Sequence, residues 1–126
     1  MIHLDTSFLI RALVRASAED AVLRLWIEKG EEIATSTLAW TEFLCGPLAP
    51  AGMDIAAELL GEPVAFGAAQ TTVAAMLFNE SGRRRGSLID CMIAAVAIES
   101  GAELATGNVR DFRRLEPLGL RIADTE

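Results

Sequence analysis

The strongest constraint on this chain is its alternation of short apolar runs with longer segments of helical periodicity. Met1-Ile2-His3-Leu4 opens the chain as a buried strand, and further strands are expected at 31–35, 64–66, 103–106 and 120–123. Between them, residues 18–29 carry Ala21, Val22, Leu25 and Trp26 at helical spacing, with Gly30 closing the segment. Helices are also expected at 37–45, 53–60, 67–80, 88–100 and 109–115, with Ser36 and Ser87 as caps for two of them and 47–52 as a loop. Strands separated by helices pair in parallel, and a parallel sheet needs cover on both faces. The expected fold class is therefore α/β: one domain over 1–126, with a mostly parallel central sheet flanked by helices on both faces. At 126 residues and 52% hydrophobic content, one core burying about two-thirds of the unfolded chain's surface suffices. No repeat, low-complexity tract or linker interrupts it.

The apolar runs fall well short of the roughly 20 residues that span a bilayer, and the N-terminus opens without a basic region or cleavage site. A soluble cytoplasmic protein with no membrane partner is expected. Cys45 and Cys91 belong to no CxxC pair or His/Cys cluster and read as reduced core thiols. His3 is the sole histidine and lies inside an apolar strand, which leaves a Ser or Cys nucleophile without a well-placed base. Trp26 and Trp40 sit among aliphatic neighbours and read as core or interface. The net charge of −7 disfavours nonspecific nucleic-acid binding, which depends on many Lys and Arg. A site made of carboxylates, however, is itself acidic until a divalent cation enters and reverses the local field.

Asp5 and the segment 106–111 directly follow expected strands, where open α/β sheets bind ligands. Locally, Asp5 reads equally as a ligand or as a helix cap. Glu42 sits among Leu38, Ala39, Trp40, Phe43 and Leu44, so its charge either has a partner or metal, or faces outward. Asp90 is the only charge before Glu99 in a helix that reads as buried. It either serves the chemistry or interacts favourably with the helix N-terminus, worth about 0.3–1 kcal/mol. Ala94, Ala95 and Ala97 let this helix approach its neighbours and hold Asp90 on a rigid element. Acids gathered at one end of a sheet repel one another unless a cation joins them, and Mg²⁺ or Mn²⁺ suits an all-oxygen set. Arg83, Arg84 and Arg85 are the densest positive charge. They read either as a guide for a nucleic-acid backbone or as a solvated run that favourably ends the preceding helix.

Four segments carry a family resemblance: Leu4-Asp5-Thr6-Ser7, Thr41-Glu42-Phe43, Ile89-Asp90-Cys91-Met92-Ile93-Ala94-Ala95, and Thr106-Gly107-Asn108-Val109-Arg110-Asp111-Phe112. In order and spacing over nearly the whole chain, they resemble the PIN-domain family and, within it, the VapC-like toxins of bacterial toxin–antitoxin pairs. The resemblance implies an Mg²⁺- or Mn²⁺-dependent endoribonuclease with Asp5, Glu42 and Asp90 as the metal-holding acids. Asn108 takes the place of the family's fourth site residue, often Asp, and Asp111 is the nearby acid able to substitute. Thr6, Ser7 and Thr106 are expected to support the site. The implied partners are an RNA substrate, a VapB-like antitoxin and a second copy of the chain. An amide at 108 keeps open an inactive PIN scaffold acting as a protein- or RNA-binding module. A phosphoacceptor receiver domain fits poorly, because the only lysine, Lys29, lies in an early helix.

Overall fold

The computed structural model describes residues 1–47 and 50–125. At its centre, strand β1 (Ile2–Leu4) pairs in parallel with β2 (Ile33–Ala34) on one side and β3 (Glu103–Ala105) on the other. His3 lies opposite Ala34 and Leu104. Alternation along β1 sends Ile2 and Leu4 to one face of the sheet and His3 to the other.

The two remaining expected strands shrink to single bridges. Val64 bridges Ser36, its N–H donating to the Thr35 carbonyl at 2.8 Å, and Ile122 bridges Leu104, with the Leu104 N–H donating to the Arg121 carbonyl at 2.8 Å. Pro63 has no N–H to extend the first ladder, and a helix begins a few residues later at Ala68. Such short edges leave little unpaired backbone as a template for a further strand.

Helices α1 (Thr6–Ala12), α2 (Ala18–Glu28), α3 (Thr37–Leu44) and α4 (Pro50–Leu60) precede α5 (Ala68–Glu80), α6 (Leu88–Glu99) and α7 (Val109–Phe112), which runs into a 3₁₀ turn at Arg113–Leu118. Ser17 and Ser36 cap α2 and α3 through their hydroxyls. Ser87 does not cap α6 in this way; its hydroxyl donates to the Arg84 carbonyl at 2.6 Å and ties down the preceding loop. α4 begins at Pro50, three residues before the expected Met53, because a proline at the first helical position loses no hydrogen bond. Of the expected 47–52 loop, Leu48 and Ala49 lie outside the described residues. The helix expected over 109–115 tightens at Arg113, where the approach of Pro117 denies a continuing α-ladder its N–H.

Two apolar cores result. Ile2, Leu4, Phe8, Leu9, Leu23, Phe43 and Leu60 pack on one side; Leu77, Ile93, Ala94, Leu104, Phe112 and Leu115 pack on the other. α3 serves both, giving Ala39 to one core and Phe43 to the other. Trp26 stacks on Phe8 with ring centroids 5.5 Å apart, and Trp40 on Phe43 at 5.2 Å. Cys91 is buried as expected, but Cys45 is exposed, because it is the residue that ends α3 as the chain turns outward. His3 is buried with no hydrogen-bond partner for either ring nitrogen among the described residues, and burial pulls its pKa down to about 4. It is a neutral core residue at pH 7. Among the described residues, no helix is long and apolar enough to cross a membrane.

Candidate functional site

Because β1 lies between β2 and β3, the chain leaves the sheet in opposite directions after neighbouring strands, and the crevice beyond β1 and β3 is a topological switch point. Asp5 stands there as the first residue after β1, its N–H donating to the Ala105 carbonyl of β3 at 2.9 Å. The cap reading of Asp5 holds, Oδ1 accepting from the Thr6 N–H at 2.8 Å, and the carboxylate also lines the crevice. Oδ2 accepts from the Thr106 hydroxyl at 2.8 Å and the Ser7 hydroxyl at 3.1 Å. These hydroxyls are in turn oriented by backbone, the Asn108 N–H donating to Thr106 Oγ1 and the Gly107 N–H to Ser7 Oγ. The two loops beyond β1 and β3 are thus laced together around one carboxylate.

Gly107 was not singled out from sequence, yet it lets the two loops approach closely, and a larger residue would press on Ser7. A Cβ there would come within 3.3 Å of Ser7 Oγ and 3.4 Å of Ser7 Cβ. Asp5 is 5% exposed. Burial pushes its carboxyl up, and the hydrogen bonds from Thr106, Thr6 and Ser7 pull against that rise. Thr106→Val is therefore expected to drive the Asp5 carboxyl higher still and to cost about 1–3 kcal/mol for the orphaned groups. Thr106→Ser should leave both nearly unchanged. NMR titration of the Asp5 carboxyl and a melting curve check this; a Val variant with an unmoved Asp5 would refute it.

Glu42 is exposed, so the charge in α3 faces outward, but outward here means toward the crevice. The Thr6 hydroxyl links it to the rest, lying 2.9 Å from Glu42 Oε1 and 3.0 Å from the Ala39 carbonyl. Asp90 enters from the first turn of α6, which the buried Ala94, Ala95 and Ala97 hold tight against its neighbours. Its carboxyl is pushed from 3.8 to about 6, first by burial, then by the charges of Asp5 and Asp111, with Arg114 pulling down and Glu42 adding a smaller push.

Asp5, Thr6, Ser7, Ile10, Glu42, Asp90 and Asn108 line one open groove of about 290 Å³. Four segments far apart in sequence thus meet in it. Asp111 does not line this groove; it borders an adjoining pocket together with Asp90, Arg84 and Arg85, and Arg83 lines neither. Among the described residues, no three His, Cys, Asp or Glu side chains stand close enough together to hold a metal ion between them. Two carboxylates completed by water are nevertheless a usual set for Mg²⁺. The donor chemistry agrees: every polar side-chain donor lining the groove offers oxygen, and the amide of Asn108 can too. Of roughly four lone-pair sites on a carboxylate, Asp5 uses three within the protein, leaving capacity on Oδ1.

An open α/β sheet with acids gathered beyond the carboxyl ends of its strands is the class of protein defined by this geometry. The chain belongs to the PIN domain family, whose model matches residues 2–117. Among solved structures it is similar to VapBC2 from Rickettsia felis, solved bound to a DNA fragment from their promoter, with 27% identity, a TM-score of 0.77, and coverage of 98% of this chain and 100% of that one. A toxin–antitoxin complex from Klebsiella pneumoniae shares the fold at 20% identity and a TM-score of 0.76, covering 100% of this chain and 98% of that one. DNA-bound VapBC from Salmonella typhimurium does so at 22% and 0.76, covering 99% and 98%. No curated protein matches the chain in sequence.

Proposed function

We propose that this chain is the toxin of a VapBC-type toxin–antitoxin pair, an endoribonuclease that hydrolyses RNA phosphodiester bonds with Mg²⁺ or Mn²⁺ held by carboxylates. The observation that carries this reading is the meeting of Asp5, Glu42, Asp90 and Asn108, from four separate segments, in one groove. Family membership and the likeness to Rickettsia felis VapBC2 support it.

In this reading Asp5 and Asp90 hold the cation, and Glu42 completes the site directly or through water. Asn108 takes the fourth position, since it shares the groove with Asp5 whereas Asp111 lies across Asp90 from it. Its amide adds an oxygen without adding a charge. When bound, the cation supplies Lewis-acid activation of water and stabilises charge on the phosphate during in-line attack. Thr106 and Ser7 fix the Asp5 carboxylate, and Thr6 holds Glu42 toward the groove. Arg84 and Arg85, beside Asp90, draw the RNA backbone toward the acids. A cognate VapB-like antitoxin and a homodimer complete the assembly. Ile10, exposed on α1 at the groove, and Val14, exposed just beyond α1, offer apolar surface for a partner.

The test is incubation of purified, antitoxin-free protein with structured RNAs and Mg²⁺ or Mn²⁺, beside an Asp5→Asn variant of verified fold. Loss of the acid should lower cleavage by at least about 100-fold, beyond what removal of an outer supporting group usually costs. Equal cleavage by the variant sinks the site. No cleavage by either protein, with stoichiometric binding of a partner, favours the inactive binding module instead.

A further inference from the structure

Beside the carboxylate groove lies a second pocket, of about 140 Å³, whose walls include Arg84, Arg85, Ser87, Asp90, Asp111 and Arg114. Asp90 belongs to both cavities, so the two adjoin. Their charge is opposite in character. Three acids and no base line the groove, whereas three guanidiniums outnumber two acids in the pocket.

Arg114 is the unusual member. Its Nη1 donates to the Asp111 carbonyl oxygen, while Nε and Nη2 are buried with no hydrogen-bond acceptor among the described residues. None of Arg84, Arg85 and Arg114 forms an ion pair among those residues, although other arginines do. A guanidinium with unused N–H groups matches an oxyanion that can accept two parallel hydrogen bonds, and phosphate does so with the right geometry. Arg84 and Arg85, both exposed, are free to close over it.

We propose that this pocket binds a backbone phosphate of the RNA strand adjacent to the one cleaved in the groove, with Arg114 as its anchor and Arg84 and Arg85 as supporting contacts. The inference rests on the nuclease reading above. A nucleic acid suits the two cavities better than a peptide carboxylate because its phosphates recur along one strand. A strand with one phosphate at the acids carries its neighbour past Asp90 toward the arginines. The pocket also explains how a chain of net charge −7 could hold a polyanion: the positive charge is local and sits beside the chemistry.

The test uses full-length protein carrying Asp5→Asn, which stops turnover and leaves every residue of the pocket in place. Binding of a fluorescent single-stranded RNA oligonucleotide is measured at constant Mg²⁺ over a range of NaCl. Adding Arg114→Gln should weaken binding about tenfold. It should also flatten the slope of log affinity against log salt by about 0.7, the loss of one phosphate contact on a single strand. Arg114→Lys should recover the slope but not all of the affinity, since it keeps the charge and loses the fork. Joint Arg84→Gln and Arg85→Gln substitution, at exposed positions, should flatten the slope too and decides the matter if Arg114→Gln fails to fold. Arg83→Gln should change neither quantity. Unchanged affinity and slope in the pocket variants overturn the proposal, as does RNA binding too weak to measure. It is equally overturned if these variants lose only affinity for an acidic antitoxin peptide. Wild-type cleavage is scored separately: absence of cleavage defeats the nuclease reading, while the salt slope still decides the pocket.

Discussion

Asp90→Asn is expected to abolish RNA cleavage and at the same time make the metal-free protein more stable. The Asp90 carboxyl is held near 6 rather than 3.8, by burial first and then by the charges of Asp5 and Asp111. A carboxyl whose pKa is higher in the folded than in the unfolded state binds its proton more tightly when folded, so its ionised form costs stability. That cost is absent below about pH 4, grows between about 4 and 6, and is constant above. The full difference corresponds to about 3 kcal/mol, which solvent screening at this partly exposed side chain reduces to about 1–2 kcal/mol.

In EDTA at pH 7.5, Asp90→Asn should therefore melt about 3–6 °C above the wild type. The two should converge near pH 4. Mg²⁺ should raise the wild-type melting point by binding the folded state alone, and should barely move the variant. Cleavage should fall by at least about 100-fold, because Asn cannot supply the charge that holds the cation. A variant that melts several degrees below the wild type in EDTA would show that the carboxylate has a stabilising partner, and the repulsion account would be wrong.

The second large effect separates two adjacent residues of α3. Phe43 is fully buried and stacked on Trp40. Phe43→Ala should cost about 3–5 kcal/mol, the usual range for a core Phe. That is a large share of the 5–15 kcal/mol that holds a typical domain together, and the melting point should drop by about 10–20 °C. Glu42 is exposed, and Thr6 still has an oxygen to bond in Glu42→Gln. That variant should stay within about 0.5 kcal/mol of wild type while losing cleavage on the order of 10–100-fold. Thermal melts and single-turnover cleavage of both variants check the contrast. A Glu42→Gln protein that cleaves normally would remove Glu42 from the site.

How much of this was legible in sequence depended on whether the signal was local. The run Met1 to Leu4 ending on Asp5 announced a strand and a residue at its carboxyl end, and the structure places both so. The alternation of strands and helices was likewise sufficient for a parallel α/β sheet. The strands expected at 64–66 and 120–123 were overread, because β-like composition does not reveal how many rungs the neighbouring chain leaves room for. Glu42 looked stranded in an apolar helix; helical periodicity alone could not show that its side faces an open groove.

Which of Asn108 and Asp111 lines the groove was undecidable in one dimension. Asn108 and Asp111 lie three apart, and only the start of α7 at Val109 leaves Asn108 at the groove while Asp111 turns toward Arg84 and Arg85. Gly107 and Arg114 were missed for the same reason. The tight approach of Gly107 to Ser7 spans 100 residues, and nothing near Arg114 in the chain marks it as a neighbour of Asp90.

The most direct test of the central claim is single-turnover RNA cleavage by antitoxin-free protein as Mg²⁺ is titrated from an EDTA-treated start, for wild type and for Asp90→Asn. The account predicts no wild-type cleavage without cation, a saturable rise as Mg²⁺ is added, and a curve for Asp90→Asn that stays near the baseline. Wild-type cleavage that persists in EDTA, or an Asp90→Asn curve that superimposes on the wild type, would contradict it.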